Sequence, residues 1–341
     1  MENDHSSTGV LLLNIGSPSS PRFFDVAAYL SRFLGERRII SLPWIARKIL
    51  VNGIIVPFRT SGSASRYRKL QSMYDGHFPL PLFGRKCREH LQEVLSDKAS
   101  VFFAMAYGDP TIEDTIDNMM RNKISRIIIL PLFPQYASSS TGVVLEKVIK
   151  RLTVYDIVPE IRSIDPFFRH PLFVNAFAER INEYHPERYD QVLFCYHSLP
   201  VQHVRSASGT PYCYLTSCNE TTRLIAARAQ LAEGTFETVF QSNMSNNWQG
   251  PFASRVIEEK ARSGCKKILI VAPSFVADCL ETSLELGVEY RQMFIDHGGE
   301  DLTLVESLNT HPEWIRCLES ICMEHLKESS PGTDYTGQHP S

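Results

Sequence analysis

Short, almost uninterrupted apolar runs recur along this chain, spaced so that one helix fits between successive runs. They fall at 10–15, 101–106, 127–130, 192–196, 238–241, 268–271 and 302–305. Amphipathic stretches with helical periodicity lie between them, at 24–34, 85–95, 112–121, 142–152, 172–184, 220–232 and 252–262. A strand that is apolar on both faces must be covered on both. The alternation therefore predicts an α/β fold in which parallel sheets are flanked by helices.

The two halves echo each other. VLLLNIGSP at 10–18 is matched by VLFCYHSLP at 192–200, each an apolar run, a polar turn and a proline. The segment 126–152 is matched in the same way by 267–293. With 341 residues the chain is long enough for two cores. We expect a first domain over 9–160, a second over 161–310, a terminal helix over 311–328 and a disordered tail over 329–341. The boundary is placed where Pro159 and Pro166 interrupt the pattern.

Composition excludes several classes. A net charge of −3 leaves no electrostatic footprint for nucleic acid. No apolar run reaches membrane-spanning length. The start, MENDHSSTG, lacks a basic region followed by an apolar core, so no secretory signal is expected and the expected location is cytoplasmic. Two cysteine pairs, Cys213 with Cys218 and Cys317 with Cys322, share a C-x4-C spacing that is not a usual zinc knuckle. Neither a disulfide nor a structural metal is expected.

In open parallel sheets, ligands bind beyond the carboxyl ends of the strands. No G-x-G-x-x-G, Walker loop or G-x-S-x-G elbow occurs there, which argues against nucleotide binding and serine-hydrolase chemistry. Two other features do. His197 directly follows the run 192–196, where an imidazole can ligate a divalent metal or accept a proton near neutral pH. After the run 268–271 and Pro273, Glu281, Glu285 and Glu289 recur at i, i+4, i+8, stacking carboxylates on one helix face. No lysine or arginine follows within that stretch until Arg291. Such a row suits a cation or proton path. It equally suits a solvated face whose first acid favours a helix N-terminus.

These segments resemble the ferrochelatase family, enzymes that insert ferrous iron into protoporphyrin IX. LLLNIGSP (11–18), LPLFPQYASSSTG (130–142), YHSLP (196–200), GTPY (209–212), FQSN with Trp248, SFVADCLET (274–282) and ESLN (306–309) match in the family's order. The match covers roughly 9 to 325, and its N-terminal half looks more like the protoporphyrin-using bacterial members than the coproporphyrin-using ones.

The resemblance implies two Rossmann-like domains with a porphyrin cleft between them, and a C-terminal helix, here 312–327, returning to the first domain. It makes His197 and Glu281 the catalytic pair and the metal-contacting groups, facing each other across the porphyrin. Glu285 and Glu289, on a helix with a π-type widening, and Asp278 would form a proton or metal conduit. Ile15, Arg59, Tyr107, Phe275, Ser242 and Trp248 would line the substrate site. No resident cofactor is implied, Fe²⁺ being a substrate. Iron approach from the His197 side and from the Glu281 side are both open.

The apolar stretch 39–58, interrupted by Arg47 and Lys48, reads by itself as a core helix as readily as anything else. The resemblance makes 39–59 a mobile lip over the pocket that touches a membrane surface, with Arg59 pairing a porphyrin propionate. Three departures stand out. Ala106 precedes Tyr107 where members commonly carry arginine. Ser138 replaces an internal cysteine that ligates an iron–sulfur cluster in some members, so a [2Fe–2S] cluster is not expected, although Cys213 and Cys218 leave another cluster open. Cys279 stands where many members have histidine. The rival readings are a chelatase for coproporphyrin III or another tetrapyrrole, and a non-catalytic tetrapyrrole or metal carrier.

Overall fold

A computed structural model describes residues 7–327; the expected tail, 329–341, lies outside the described residues. Two four-stranded parallel sheets form the frame. The first contains β1 (Thr8–Asn14), β2 (Ser100–Met105), β3 (Arg126–Pro131) and β4 (Glu160–Ser163), in the order β2-β1-β3-β4. The second contains β5 (Gln191–His197), β6 (Phe236–Gln241), β7 (Lys267–Val271) and β8 (Asp301–Leu304), in the order β6-β5-β7-β8. The two orders are the same. The echo of 10–18 in 192–200, and of 126–152 in 267–293, is therefore an echo of first and third strands.

The helices of the first half are α1 (Phe23–Leu34), α2 (Trp44–Ile49), α3 (Val56–Ser72), α4 (Pro79–Leu95), α5 (Ile112–Arg121) and α6 (Thr141–Leu152). Those that follow are α7 (Pro171–Asn182), α8 (Val201–Ser206), α9 (Tyr214–Arg228), α10 (Ala253–Arg262), α11 (Arg291–Asp296) and α12 (Pro312–Lys327). Two π-helices interrupt this pattern, Leu50–Ile55 and Leu280–Tyr290.

Side-chain alternation along the strands builds three cores. Val10 and Leu12 of β1, with Val192, Phe194 and Tyr196 of β5, point into one central cluster closed by α4, α7, α9 and α12. Leu11 and Leu13 point into an outer core of the first half, and Leu193 and Cys195 into an outer core of the second. The two sheets thus share a core and cannot part without exposing it. The fully buried Trp314 of α12 packs on Phe167 and Phe173 there, with ring centroids 5.9 and 6.4 Å apart. Helix α12 lies against α4 and α7, and His325 O accepts a 2.9 Å bond from Arg126 Nη2 of β3.

One strand escaped the sequence pattern. β4 spans the expected boundary at 160/161 and pairs with β3, so the first sheet takes its edge strand from the far side of that boundary. Its residues, Glu-Ile-Arg-Ser, are exposed or half-exposed, as suits an edge protected by charge. No apolar run marked it.

Candidate active site

The strand ends of the two sheets meet along a seam. Ile15, Leu80 and Phe83 of the first half pack with Phe275, Ala277 and Cys279 of the second. Ile15 directly follows β1. Gly16 there takes φ +117°, and a Cβ on it would lie 2.9 Å from the Tyr107 backbone, so the position requires glycine. Two expected wall residues, Ile15 and Phe275, are thus brought together.

His197 ends β5, in register with Gln241 at the end of β6. Its Nδ1 lies 2.6 Å from Ser198 O. A carbonyl only accepts, so Nδ1 carries the proton and Nε2 presents its lone pair in the neutral ring. Such a nitrogen is ready to take a proton or ligate a metal. Tyr214 Oη donates to His197 O at 3.0 Å, anchoring the strand end from α9. The Trp248 ring sits 6.4 Å from the imidazole. Its loop is tied down by Gln249 N donating to Leu199 O (2.8 Å) and Ser198 Oγ donating to Gln249 O (2.7 Å).

Gln241 connects this corner to the acidic row, its Nε2 donating to Glu281 O at 3.3 Å. The row lies on the π-helix Leu280–Tyr290, whose bonds skip five residues rather than four, so a spacing of four still stays close to one turn. Cys279 caps it reciprocally with Thr282, Cys279 N donating to Thr282 Oγ1 at 2.9 Å. Burial, and then the charge of Glu281, push the Cys279 thiol well up, so it remains protonated.

The inner two acids of the row are part-buried and the outer one is exposed. Glu281 is half-buried, Glu285 keeps 13% of its side-chain surface and Glu289 keeps 41%. Ser242 Oγ lies 2.9 and 2.8 Å from the two oxygens of Glu285, and Tyr290 Oη donates to it at 3.2 Å. Ser242 adopts φ +59° to reach this position. The Glu285 carboxyl is held above its ordinary range, chiefly by burial and further by Glu281, while Ser242, His197 and Arg66 pull the other way. His197, Glu281 and Glu285 therefore share one electrostatic neighbourhood. The charge of Glu281 is also felt at the buried Tyr29 and Tyr67 of α1 and α3, whose hydroxyls are raised mainly by burial. Sequence reasoning missed these tyrosines, along with Gln241 and Tyr290, since nothing local marks them as neighbours of the row.

Other expected residues are placed differently. Asp278 is 3% exposed and accepts from Ser307 N (3.1 Å) and Asn309 Nδ2 (2.7 Å), while Asn309 Oδ1 accepts from Asp278 N (2.9 Å). Both its oxygens are engaged in clamping two loops, outside the row. Tyr107 is 4% exposed, its ring edge-on to Phe33 and its hydroxyl donating to Glu36 at 3.3 Å, so it offers a ligand little surface. Arg59 on α3 is exposed. Ser138 accepts from Arg38 Nη1 at 2.9 Å. Cys213 and Cys218 are buried free thiols at the start of α9. Among the described residues no three His, Cys, Asp or Glu side chains converge to hold a metal ion. The site is a pair and a row rather than a closed cage.

The core-helix reading of 39–58 does not survive. α2, the π-helix Leu50–Ile55 and α3 follow one another without a break, and Trp44 (64%), Ile45 (65%), Ile49 (64%) and Phe58 (82%) are exposed. No helix among the described residues is long and apolar enough to cross a membrane.

Twin α/β sheets with a histidine and a carboxylate row at the seam define a chelatase-like architecture. Two solved structures have the same fold. SirB from Bacillus subtilis with Fe³⁺ matches at TM-score 0.56 and 13% identity, over 94% of this chain and 96% of that one. The sirohydrochlorin chelatase SirB from B. subtilis subspecies spizizenii in complex with cobalt matches at 0.54 and 13%, over 93% and 94%. The ferrochelatase family model matches residues 7–326. Ferrochelatases of Coxiella burnetii (strain CbuK_Q154) and Legionella pneumophila (strain Corby) are each 34% identical. The first alignment covers 95% of both chains; the second covers 93% of this chain and 99% of the relative. The chain belongs to the ferrochelatase family, whose members insert a metal ion into a porphyrin.

Proposed function

We propose that the chain inserts Fe²⁺ into protoporphyrin IX, releasing two pyrrole protons and protohaem, as the last step of haem synthesis. The observation that carries this reading is the tied imidazole of His197 beside a carboxylate row that runs from half-buried to exposed. Metallation must remove two N–H protons, strip water from the cation and bend a flat ring. His197 Nε2 accepts protons from the porphyrin. Glu281 faces the ring, and Glu285 and Glu289 pass protons or hydrated Fe²⁺ between ring and solvent; hard oxygen donors suit such an ion. Glu285, held above the usual carboxylate range by burial, takes up a proton more readily than an exposed carboxylate does. Ile15, Phe275 and Trp248 grip the ring, Ser242 orients it, and Arg59 pairs a propionate. No resident cofactor is needed.

The exposed apolar face of Trp44, Ile45, Ile49 and Phe58 supports a second element, contact of the lip with a membrane surface. Cosedimentation with anionic vesicles, weakened by Phe58→Ser, is the expected result.

The deciding assay is anaerobic, with Fe²⁺ and protoporphyrin IX, following the haem spectrum. Parallel reactions with coproporphyrin III and with Co²⁺ set the substrate. Preferential metallation of coproporphyrin would overturn the protoporphyrin assignment. Tight haem binding with no metallation of either porphyrin would make the chain a carrier.

A further inference from the structure

The outer end of the acidic row is held by a side chain that no nearby sequence supplies. Arg66 of α3 approaches Glu289 as a fork, Nε to Oε1 at 2.9 Å and Nη2 to Oε2 at 2.7 Å, across 223 residues of chain. The same Nη2 lies 3.9 Å from Glu285 Oε2, so one guanidinium spans two members of the row. Arg291, the nearest cation in the sequence, turns away to Asp301 at 3.1 Å. Among the described residues no other lysine or arginine pairs with Glu285 or Glu289. Arg66 sits on the helix that continues from the exposed lip, and α3 packs directly against the π-helix.

We propose that Arg66 is a displaceable latch at the mouth of the row, a positioning residue that a metal ion must push aside to enter. This rests on reading the row as a cation path. The guanidinium occupies the positions a hydrated divalent cation would take, with one charge where the ion brings two. Both partners are partly exposed, Arg66 keeping 38% and Glu289 41% of their side-chain surface. Exposed pairs are weak and screened by solvent, so the latch opens at modest cost. A fully buried pair would block the path. The fork geometry explains why arginine holds both acids from one helix position, where lysine would present a point charge. When the latch opens, α3 loses its ion pair to the second half, which couples loading of the row to the helix that carries the lip.

The test uses Mn²⁺ as probe, titrated by electron paramagnetic resonance into the full chain without porphyrin at low salt. Arg66→Gln should tighten Mn²⁺ binding by about fivefold, the worth of an exposed charge pair. It should lower KM for Fe²⁺ by a similar factor and change kcat by less than about twofold. Arg66→Lys should fall between wild type and Arg66→Gln, and adding Glu289→Gln to Arg66→Gln should remove the gain. A brace that served only stability would loosen binding or leave it alone when cut. Should Arg66→Gln fail to fold, Arg66→Met keeps the aliphatic stem and carries the same expectation. If Arg66 substitution leaves Mn²⁺ affinity unchanged or weaker while Glu289→Gln alone weakens it, the latch is wrong and the cation path stands. If Mn²⁺ affinity ignores Glu285→Gln and Glu289→Gln in both backgrounds, the path and the latch fall together.

Discussion

The helix after the third strand carries a key glutamate in both halves, and the two glutamates are treated in opposite ways. In the first half, Glu146 on α6 is matched by Lys150 Nζ at 2.6 Å and Arg38 Nε at 2.7 Å. These bonds hold its carboxyl down at about 2. In the second half, Glu285 on the π-helix is part-buried near another acid, has Arg66 only at 3.9 Å, and is held up. The same strand order thus supports a compensated helix on one side and a charge-stressed one on the other. The lip comes from the first half, along with the one distant counter-charge, Arg66, while both halves supply apolar wall residues, Ile15 from one and Phe275 from the other. Protonic groups come from the second. Two like sheets can divide labour this way because ligands bind beyond strand ends, which can vary while the strand cores stay alike.

The sharpest way to break this division is at His197. His197→Ala should keep porphyrin binding, read by fluorescence quenching, and lose about 10²–10⁴-fold in turnover, the range of a lost general base. Near-wild-type turnover would move the chemistry elsewhere. Next is the row, where Glu281→Gln should cost more turnover than Glu285→Gln or Glu289→Gln, because in the proposed arrangement Glu281 is the member that faces the ring. Equal losses at all three would mean that the row works as one unit.

A smaller effect, on stability rather than rate, belongs to Asp278. Asp278→Asn keeps the size but sets an amide against Ser307 N or Asn309 Nδ2. We expect a loss of about 1–3 kcal/mol in denaturant unfolding with kcat retained, as for one unsatisfied buried group. A fall in kcat at unchanged stability would restore Asp278 to the conduit.

The smallest and most direct comparison is pH-dependent. Glu146, lowered in the folded state, stabilises above its unfolded pKa and loses that contribution as pH falls toward about 2. Glu146→Gln should therefore cost about 1 kcal/mol at pH 7, a gap that narrows below the ordinary carboxylate range. Glu285, raised in the folded state, has the opposite sign. Its contribution is intact below the unfolded pKa and is lost as pH rises through the folded one. Glu285→Gln should thus raise the melting temperature at pH 7 by about 1–4 °C, with the gain shrinking in acid. Gaps of the same sign in both variants would refute the contrast.

Much of this was legible in the chain itself. The apolar runs at 10–15 and 192–196 predicted first strands in both halves, because strands buried on two faces must be apolar throughout. The i, i+4, i+8 acids and the histidine after a strand marked the site, since spacing on one helix and position after one strand are local properties. The edge strand β4 carried no such signal, being exposed and charged.

The sequence by itself determined the doubled α/β plan, the family and the positions of His197 and the acidic row. Only the tertiary structure decided what each acid faces. It turned Asp278 into a loop clamp, buried Tyr107 on Phe33, left the lip's apolar side chains exposed, and brought Arg66 to Glu289 from 223 residues away. Local periodicity records which face a side chain shares. A charge's environment is set by whatever the fold packs against that face, and that leaves no trace in nearby residues.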